Sequence, residues 1–154
     1  LTEHDFNNSV TQFDDEVDQV LASPAKVGIL AVASLESGVI TIHTSIKFDL
    51  AADQHYIGVY LLEDGVMEDQ EIEGSSNAVT AHNNVLRAPS SNSSGSLGIN
   101  SIGTTFVADQ IVENTHSITI PSTVRDKSKL QIGVVVWYGQ AADKISNGIL
   151  IEVN

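Results

Sequence analysis

The ten residues VITIHTSIKF, positions 39–48, alternate almost strictly between two kinds of side chain. In a β-strand, successive side chains point to opposite faces. One face of this segment would carry Ile40, Ile42, Thr44, Ile46 and Phe48. The other would carry Thr41, His43, Ser45 and Lys47. One apolar face and one polar face are typical of an antiparallel strand that covers a core on one side. The segment therefore predicts a half-buried antiparallel strand.

Similar segments occur on both sides of this strand. Residues 27–35 form another apolar run, and Glu36-Ser37-Gly38 between the two runs predicts a tight hairpin. Further strands are expected at Tyr56–Glu63, Val66–Ile72, Gly103–Ala108, Ser117–Ile120, Leu130–Tyr138 and Gly148–Val153. The Pro-, Ser-, Asn- and Gly-rich residues 89–98 predict a long loop. Seven or eight strands without intervening helices favour a mainly β protein, an antiparallel β-sandwich of immunoglobulin or jelly-roll type.

The most apolar predicted strand, Leu130–Tyr138, has two possible registers. We expect Trp137 to point into the core together with Val135 and Gly133. The alternative register, with Val134, Val136 and Tyr138 inward, is nearly as apolar. Such a strand is expected at the centre of its sheet, with both faces covered.

The first 23 residues show a different periodicity. Apolar residues spaced by four, three, four and three positions predict one short amphipathic helix, which Ser23-Pro24 would end. The apolar positions are Phe6, Val10, Phe13, Val17 and Val20. The sequence thus predicts a helical segment, residues 1–23, followed by one β-sandwich domain, residues 24–154.

Composition excludes several classes of function. The chain has 154 residues, of which 20 are acidic and seven basic, for a formal net charge of −13. Nucleic-acid binding requires a Lys/Arg surface, so a nucleic-acid partner is not expected. There is no cysteine, which rules out disulfides and zinc–thiolate sites built by this sequence. The longest apolar runs are too short to span a membrane.

No sequence motif indicates catalysis. The chain lacks HExxH, GxSxG and phosphate-binding glycine patterns, so we expect it not to be an enzyme. Nor is there an EF-hand loop. Carboxylates at Glu63, Asp64, Glu68 and Asp69 leave a calcium site as one interpretation of this acidic region, and a solvated acidic hairpin as the other. No other cofactor is expected.

A polar segment follows the acidic hairpin and is the candidate binding site. With the hairpin, its members are Glu63, Asp64, His82, Asn83, Asn84 and Arg87. One interpretation is a network that satisfies backbone groups and fixes a long loop. The other is a surface patch that contacts a ligand. Three further histidines, His43, His55 and His116, are expected at the surface or in loops.

The hairpin and the polar segment together carry a family resemblance. Val59-Tyr60-Leu61-Leu62-Glu63-Asp64-Gly65-Val66, then Gln70, then His82-Asn83-Asn84-Val85-Leu86-Arg87, resemble the "lxEdgi…Q" and "HNHVLR" segments of the Omp28-type outer membrane protein family of Bacteroidota. The final strands are similar to the family's closing pair, and the resemblance covers roughly residues 24–154. Asn84 replaces the second histidine of the motif. Members often carry a thioredoxin-like half upstream, which the short helical segment without cysteine does not match.

The resemblance implies a β-sandwich exported to the cell envelope, at the outer membrane or outside the cell. It implies a role in surface interaction or adhesion and supplies no catalytic residues. The expected partners are a protein or glycan at the cell surface. The alternative is a structural subunit of a surface filament or layer, in which copies of the chain assemble by exchanging a strand or the N-terminal arm.

Overall fold

The computed structural model describes residues 25–70, 78–90, 98–139, 142 and 144–153. The strands are β1 (Val27–Glu36), β2 (Val39–Phe48), β3 (Ala52–Glu63), β4 (Val66–Gln70), β5 (Ala78–His82), β6 (Val85–Pro89), β7 (Ile99–Phe106), β8 (Ile111–Thr119), β9 (Leu130–Tyr138) and β10 (Lys144–Glu152). One turn of 3-10 helix, Lys127–Lys129, precedes β9. The predicted helical segment 1–23 and most of the predicted loop 89–98 lie outside the described residues.

The strands form antiparallel sheets, as predicted. β1, β2 and β8 make one sheet in that order. β10, β9, β3 and β6 make a second, with β7 also paired to β3. β4 and β5 form a separate hairpin. The mainly β, antiparallel fold class is therefore confirmed.

The first hairpin has the geometry expected from its sequence. Ser37 and Gly38 both have positive φ, 50° and 81°, as a two-residue turn between twisted strands requires. The alternation of β2 is also confirmed, because Ile40, Ile42, Ile46 and Phe48 are fully buried.

The core draws on both large sheets. The apolar face of β2 and the inward residues of β3 and β9 belong to one cluster, to which Phe106 of β7 and Ile118 of β8 also contribute. Two sheets that share one buried cluster fit the predicted sandwich.

The expected register of β9 is wrong. Ile132, Val134 and Val136 are fully buried in the core, whereas Val135 and Trp137 on the opposite face are partly buried. The face that carries Val135 and Trp137 is nearly as apolar as the face that carries Ile132, Val134 and Val136, so the pattern alone did not distinguish them.

Several strand boundaries also differ from prediction. β3 begins at Ala52 and β8 at Ile111, so His55 and His116 are strand residues. Strands β5 and β6 occupy the segment interpreted only as polar.

In the part of the chain that the structure describes, there is no apolar helix of membrane-spanning length.

Candidate functional site

Glu63, the last residue of β3, is the centre of the candidate site. It points into the protein and is 1% exposed. Its Oε2 accepts a hydrogen bond from Arg87 Nε on β6 at 2.6 Å. Its Oε1 accepts from the backbone N–H groups of Arg125, at 2.9 Å, and Asp126, at 2.6 Å. One buried carboxylate therefore joins three parts of the chain.

These hydrogen bonds control the charge of Glu63. Burial is the largest single influence and would raise the pKa of the carboxyl group. The backbone N–H of Asp126, the guanidinium of Arg87 and the backbone N–H of Arg125 act in the opposite sense and together lower the pKa below its ordinary value. The side chain is thus ionised at neutral pH and paired with a guanidinium that is itself 13% exposed.

The turns on either side of this pair are tied by reciprocal hydrogen bonds. Asn83 Oδ1 accepts from the backbone N–H of Gly65 at 3.0 Å. Asp64 Oδ1 accepts from the backbone N–H of Asn84 at 2.7 Å. Gly65 and Asn84 both have positive φ, 67° and 54°. Asparagine is one of the few residues other than glycine that adopt this conformation readily, which explains Asn84 in the turn.

The two remaining predicted residues have different positions. Arg87 belongs to the network, but its Nη2 is buried without a hydrogen-bond partner. His82 ends β5, opposite Val66, and its Nε2 lies 3.2 Å from Thr80 Oγ1. The structure therefore brings Glu63 and Arg87 together, with Asp64, Asn83 and Asn84 beside them. The His82 side chain instead contacts Thr80 of its own strand.

Arg125 is the member of the site that sequence reasoning missed. Besides its backbone bond to Glu63, its Nη1 donates to the carbonyl oxygen of Met67 at 2.7 Å and its guanidinium pairs with Glu68. It lies in an irregular loop 62 residues from Glu63 and has no local motif. Only the pairing of β3 with β9, which brings the start of β9 beside Glu63, places this loop there.

The predicted calcium ligands are dispersed among these contacts. Both oxygens of Glu63 already accept hydrogen bonds, and Glu68 is paired with Arg125. Asp69 lies on β4 opposite Val79. Within residues 25–70, 78–90 and the other described ranges, no three His, Asp or Glu side chains are grouped closely enough to hold a metal ion. Calcium binding stays a prediction.

The expectation of surface histidines is correct for one residue and wrong for two. His43 is exposed, with its Nδ1 3.0 Å from Thr115 Oγ1. His55 and His116 are each 4% exposed. Both occupy inward positions of strands that begin earlier than predicted. Burial lowers the pKa of His116, and neither of its ring nitrogens has a hydrogen-bond partner.

Comparison with known proteins identifies the fold. No family model and no curated protein matches the chain. A domain of the outer membrane lipoprotein Omp28 from Porphyromonas gingivalis is similar in structure, with a TM-score of 0.56 and 19% identity over 86% of this chain and 91% of that one. HBP35 of the same organism has a TM-score of 0.68 and 11% identity over 90% of this chain. This chain spans 45% of HBP35. The predicted resemblance to Omp28 is thus supported as a likeness of fold.

Proposed function

We propose that the protein is a non-catalytic, exported module of the cell envelope that mediates surface interaction or adhesion. The observation that carries this proposal is the fold shared with nearly the whole of the Omp28 domain, which belongs to an outer membrane lipoprotein. At 19% sequence identity, the shared fold supports a proposal about the location and class of the protein. Its mode of action has to be argued from the contacts of the described residues.

The contacts of the candidate site support a structural role for the polar segment. Glu63, Arg87 and the Asp64–Asn84 bond join the ends of β3 and β6 to the loop before β9. Groups already engaged with one another are poorly placed to act as nucleophile or general base. The proposal therefore treats this end as the rigid part of an antiparallel sandwich of immunoglobulin or jelly-roll type. Interaction is assigned to loops that the scaffold holds in place.

A structural subunit is the second candidate. Among the described strands, β8 pairs only with β2, so its other side is an edge of the three-stranded sheet. Ile111 at the start of this edge strand is 57% exposed. A strand supplied by another copy would extend the sheet by main-chain hydrogen bonds.

Particle mass distinguishes the two candidates. We would measure the full chain by light scattering after size-exclusion chromatography, in calcium and in chelator. The interaction module is expected to be monomeric in both, and then to show saturable binding on arrays of surface glycans and envelope proteins. Large species would favour the structural subunit, and loss of those species in chelator would identify cation-bridged joints. Assembly that survives deletion of residues 1–23 would exclude exchange of the N-terminal arm.

A further inference from the structure

A cavity that no step above has used lies at the opposite end of the second sheet from Glu63. It has a volume of about 580 Å³, within the range of small-molecule sites. Its walls come from the start of β3, from β7 and from the end of β9. The lining residues with polar or aromatic groups are Lys26, Asp53, Gln54, His55, Thr104 and Tyr138. Glu63 follows His55 by eight positions in β3, a distance of roughly 26 Å in an extended strand.

An ordered group of aromatic rings supports this cavity. The ring of Tyr138 stacks on His55, with centroids 5.9 Å apart and an interplanar angle of 25°. The edge of the His55 ring meets Phe48 at 5.0 Å and Phe106 at 5.7 Å, and these two phenylalanines stack at 3.9 Å. Tyr138 is therefore linked to the core through His55.

His55 presents a specific hydrogen-bonding requirement. Its Nδ1 lies 2.8 Å from the carbonyl oxygen of Asp53. A carbonyl oxygen only accepts, so Nδ1 carries the proton and Nε2 of the neutral ring is an acceptor. This Nε2 is buried and has no hydrogen-bond partner. A buried acceptor without a donor is costly, and a hydroxyl group brought to this wall would supply one.

Two ammonium groups lie close to Tyr138, one of the residues that line the cavity. Lys26 Nζ lies 4.4 Å from the centroid of the Tyr138 ring, and Lys144 Nζ lies 5.8 Å from it. Lys47, Arg87 and Arg125 each form a salt bridge, whereas the described residues contain no carboxylate within 4.0 Å of Lys26 or Lys144. In a chain of net charge −13, two ammonium groups that lie over one ring, with no salt bridge to another described residue, form a local site for an anion.

We propose that this cavity binds a carboxylate-bearing sugar, a uronic acid residue of a surface glycan. Lys26 and Lys144 pair with the carboxylate beside Tyr138, and the hydroxyl groups meet Asp53, Thr104 and Nε2 of His55. A ligand with one anionic group and several hydroxyl groups pairs with the ammonium groups and also donates hydrogen bonds to these acceptor atoms. A peptide carboxylate pairs only with the ammonium groups. This assignment rests on the proposed interaction function and names its ligand class.

The test is titration of the full chain with sodium glucuronate at pH 7, followed by calorimetry or by NMR chemical shifts. Saturable binding is expected, with glucose and acetate each at least about tenfold weaker, since each lacks one half of the recognised chemistry. The double variant Lys26→Gln/Lys144→Gln should bind glucuronate about tenfold more weakly than the unmodified chain, or weaker still. The matched control, Lys127→Gln/Lys129→Gln, removes the same charge at the opposite end and should bind as the unmodified chain does.

Several outcomes would overturn the assignment. They are absence of glucuronate binding at millimolar concentration, equal binding of glucose or acetate, and equal loss in the Lys127/Lys129 control. A short peptide that competes as well as glucuronate would overturn the sugar class. If the array experiment shows surface binding that the Lys26/Lys144 variant retains, the interaction function stands and this cavity is not its site. If neither ligand nor surface binds, both proposals fail.

Discussion

Arg87 Nε lies 2.6 Å from Glu63 Oε2, and both side chains are largely withdrawn from solvent. The ion pair spans β3 and β6, and the same carboxylate also accepts from two backbone N–H groups of the loop before β9. The pair therefore holds a loop that has no strand pairing of its own.

Removal of the Glu63 charge should destabilise the fold strongly. In Glu63→Gln, Arg87 remains mostly buried without its counter-ion, and loss of one partner of a buried pair typically costs about 3–5 kcal/mol. Urea unfolding followed by Trp137 fluorescence measures the change. Glu68→Gln is the control, because its pair with Arg125 is about half exposed on both sides and such pairs contribute roughly 0–1 kcal/mol. Equal losses in the two variants would show that burial of Glu63 is unimportant.

Glu63 should also make the fold sensitive to acid. Its pKa is lower in the folded state than the ordinary value of 4.5, so the unfolded chain binds the proton more readily. Its contribution is fully present above pH 4.5 and is lost as the pH falls through the folded pKa. Unfolding free energies from pH 7 to pH 3 should fall more steeply for the unmodified chain than for Glu63→Gln. Parallel curves would contradict this assignment.

His116 should contribute in a higher pH range. Burial lowers its pKa below 6.5, so the folded state favours the neutral ring while the unfolded chain takes up a proton near pH 6.5. Stability should therefore decline as the pH falls from 7 through 6.5 toward the folded pKa. His116→Leu should lose this decline without a large loss at pH 7, because both ring nitrogens already lack partners. The exposed His43→Leu variant is the control and should retain it.

The sequence predicted those features that one strand specifies by itself. The bounds of β2 and β9 agree with prediction, because strong alternation or a continuous apolar run is a local property. The inward face of β9 was not predictable, since Val134 and Trp137 lie on opposite faces that are both partly or fully covered. His55 was misassigned because its burial depends on Phe106 and Tyr138, which are distant in the chain.

The candidate site also divides into residues that the sequence indicated and residues that only the structure showed. The sequence placed Glu63 and Arg87 in one candidate site because a carboxylate and a guanidinium occur in neighbouring polar segments, and the structure pairs them. It did not indicate Arg125 and Asp126, which contribute backbone N–H groups rather than distinctive side chains. Backbone donors carry no signature of residue type, so this half of the network required the structure.

The turn at Asn84 provides the last prediction, which separates backbone geometry from side-chain chemistry. Asn84 has φ of 54°, and Asp64 binds its backbone N–H rather than its side chain. Asn84→Gly should therefore retain stability, because glycine adopts positive φ without a steric cost. Asn84→Val should lose about 1–2 kcal/mol, because a β-branched side chain is strained in the left-handed region that asparagine tolerates. Urea unfolding of both variants measures this difference. Equal losses would show that the Asn84 side chain, and not the conformation of its backbone, is what this turn requires.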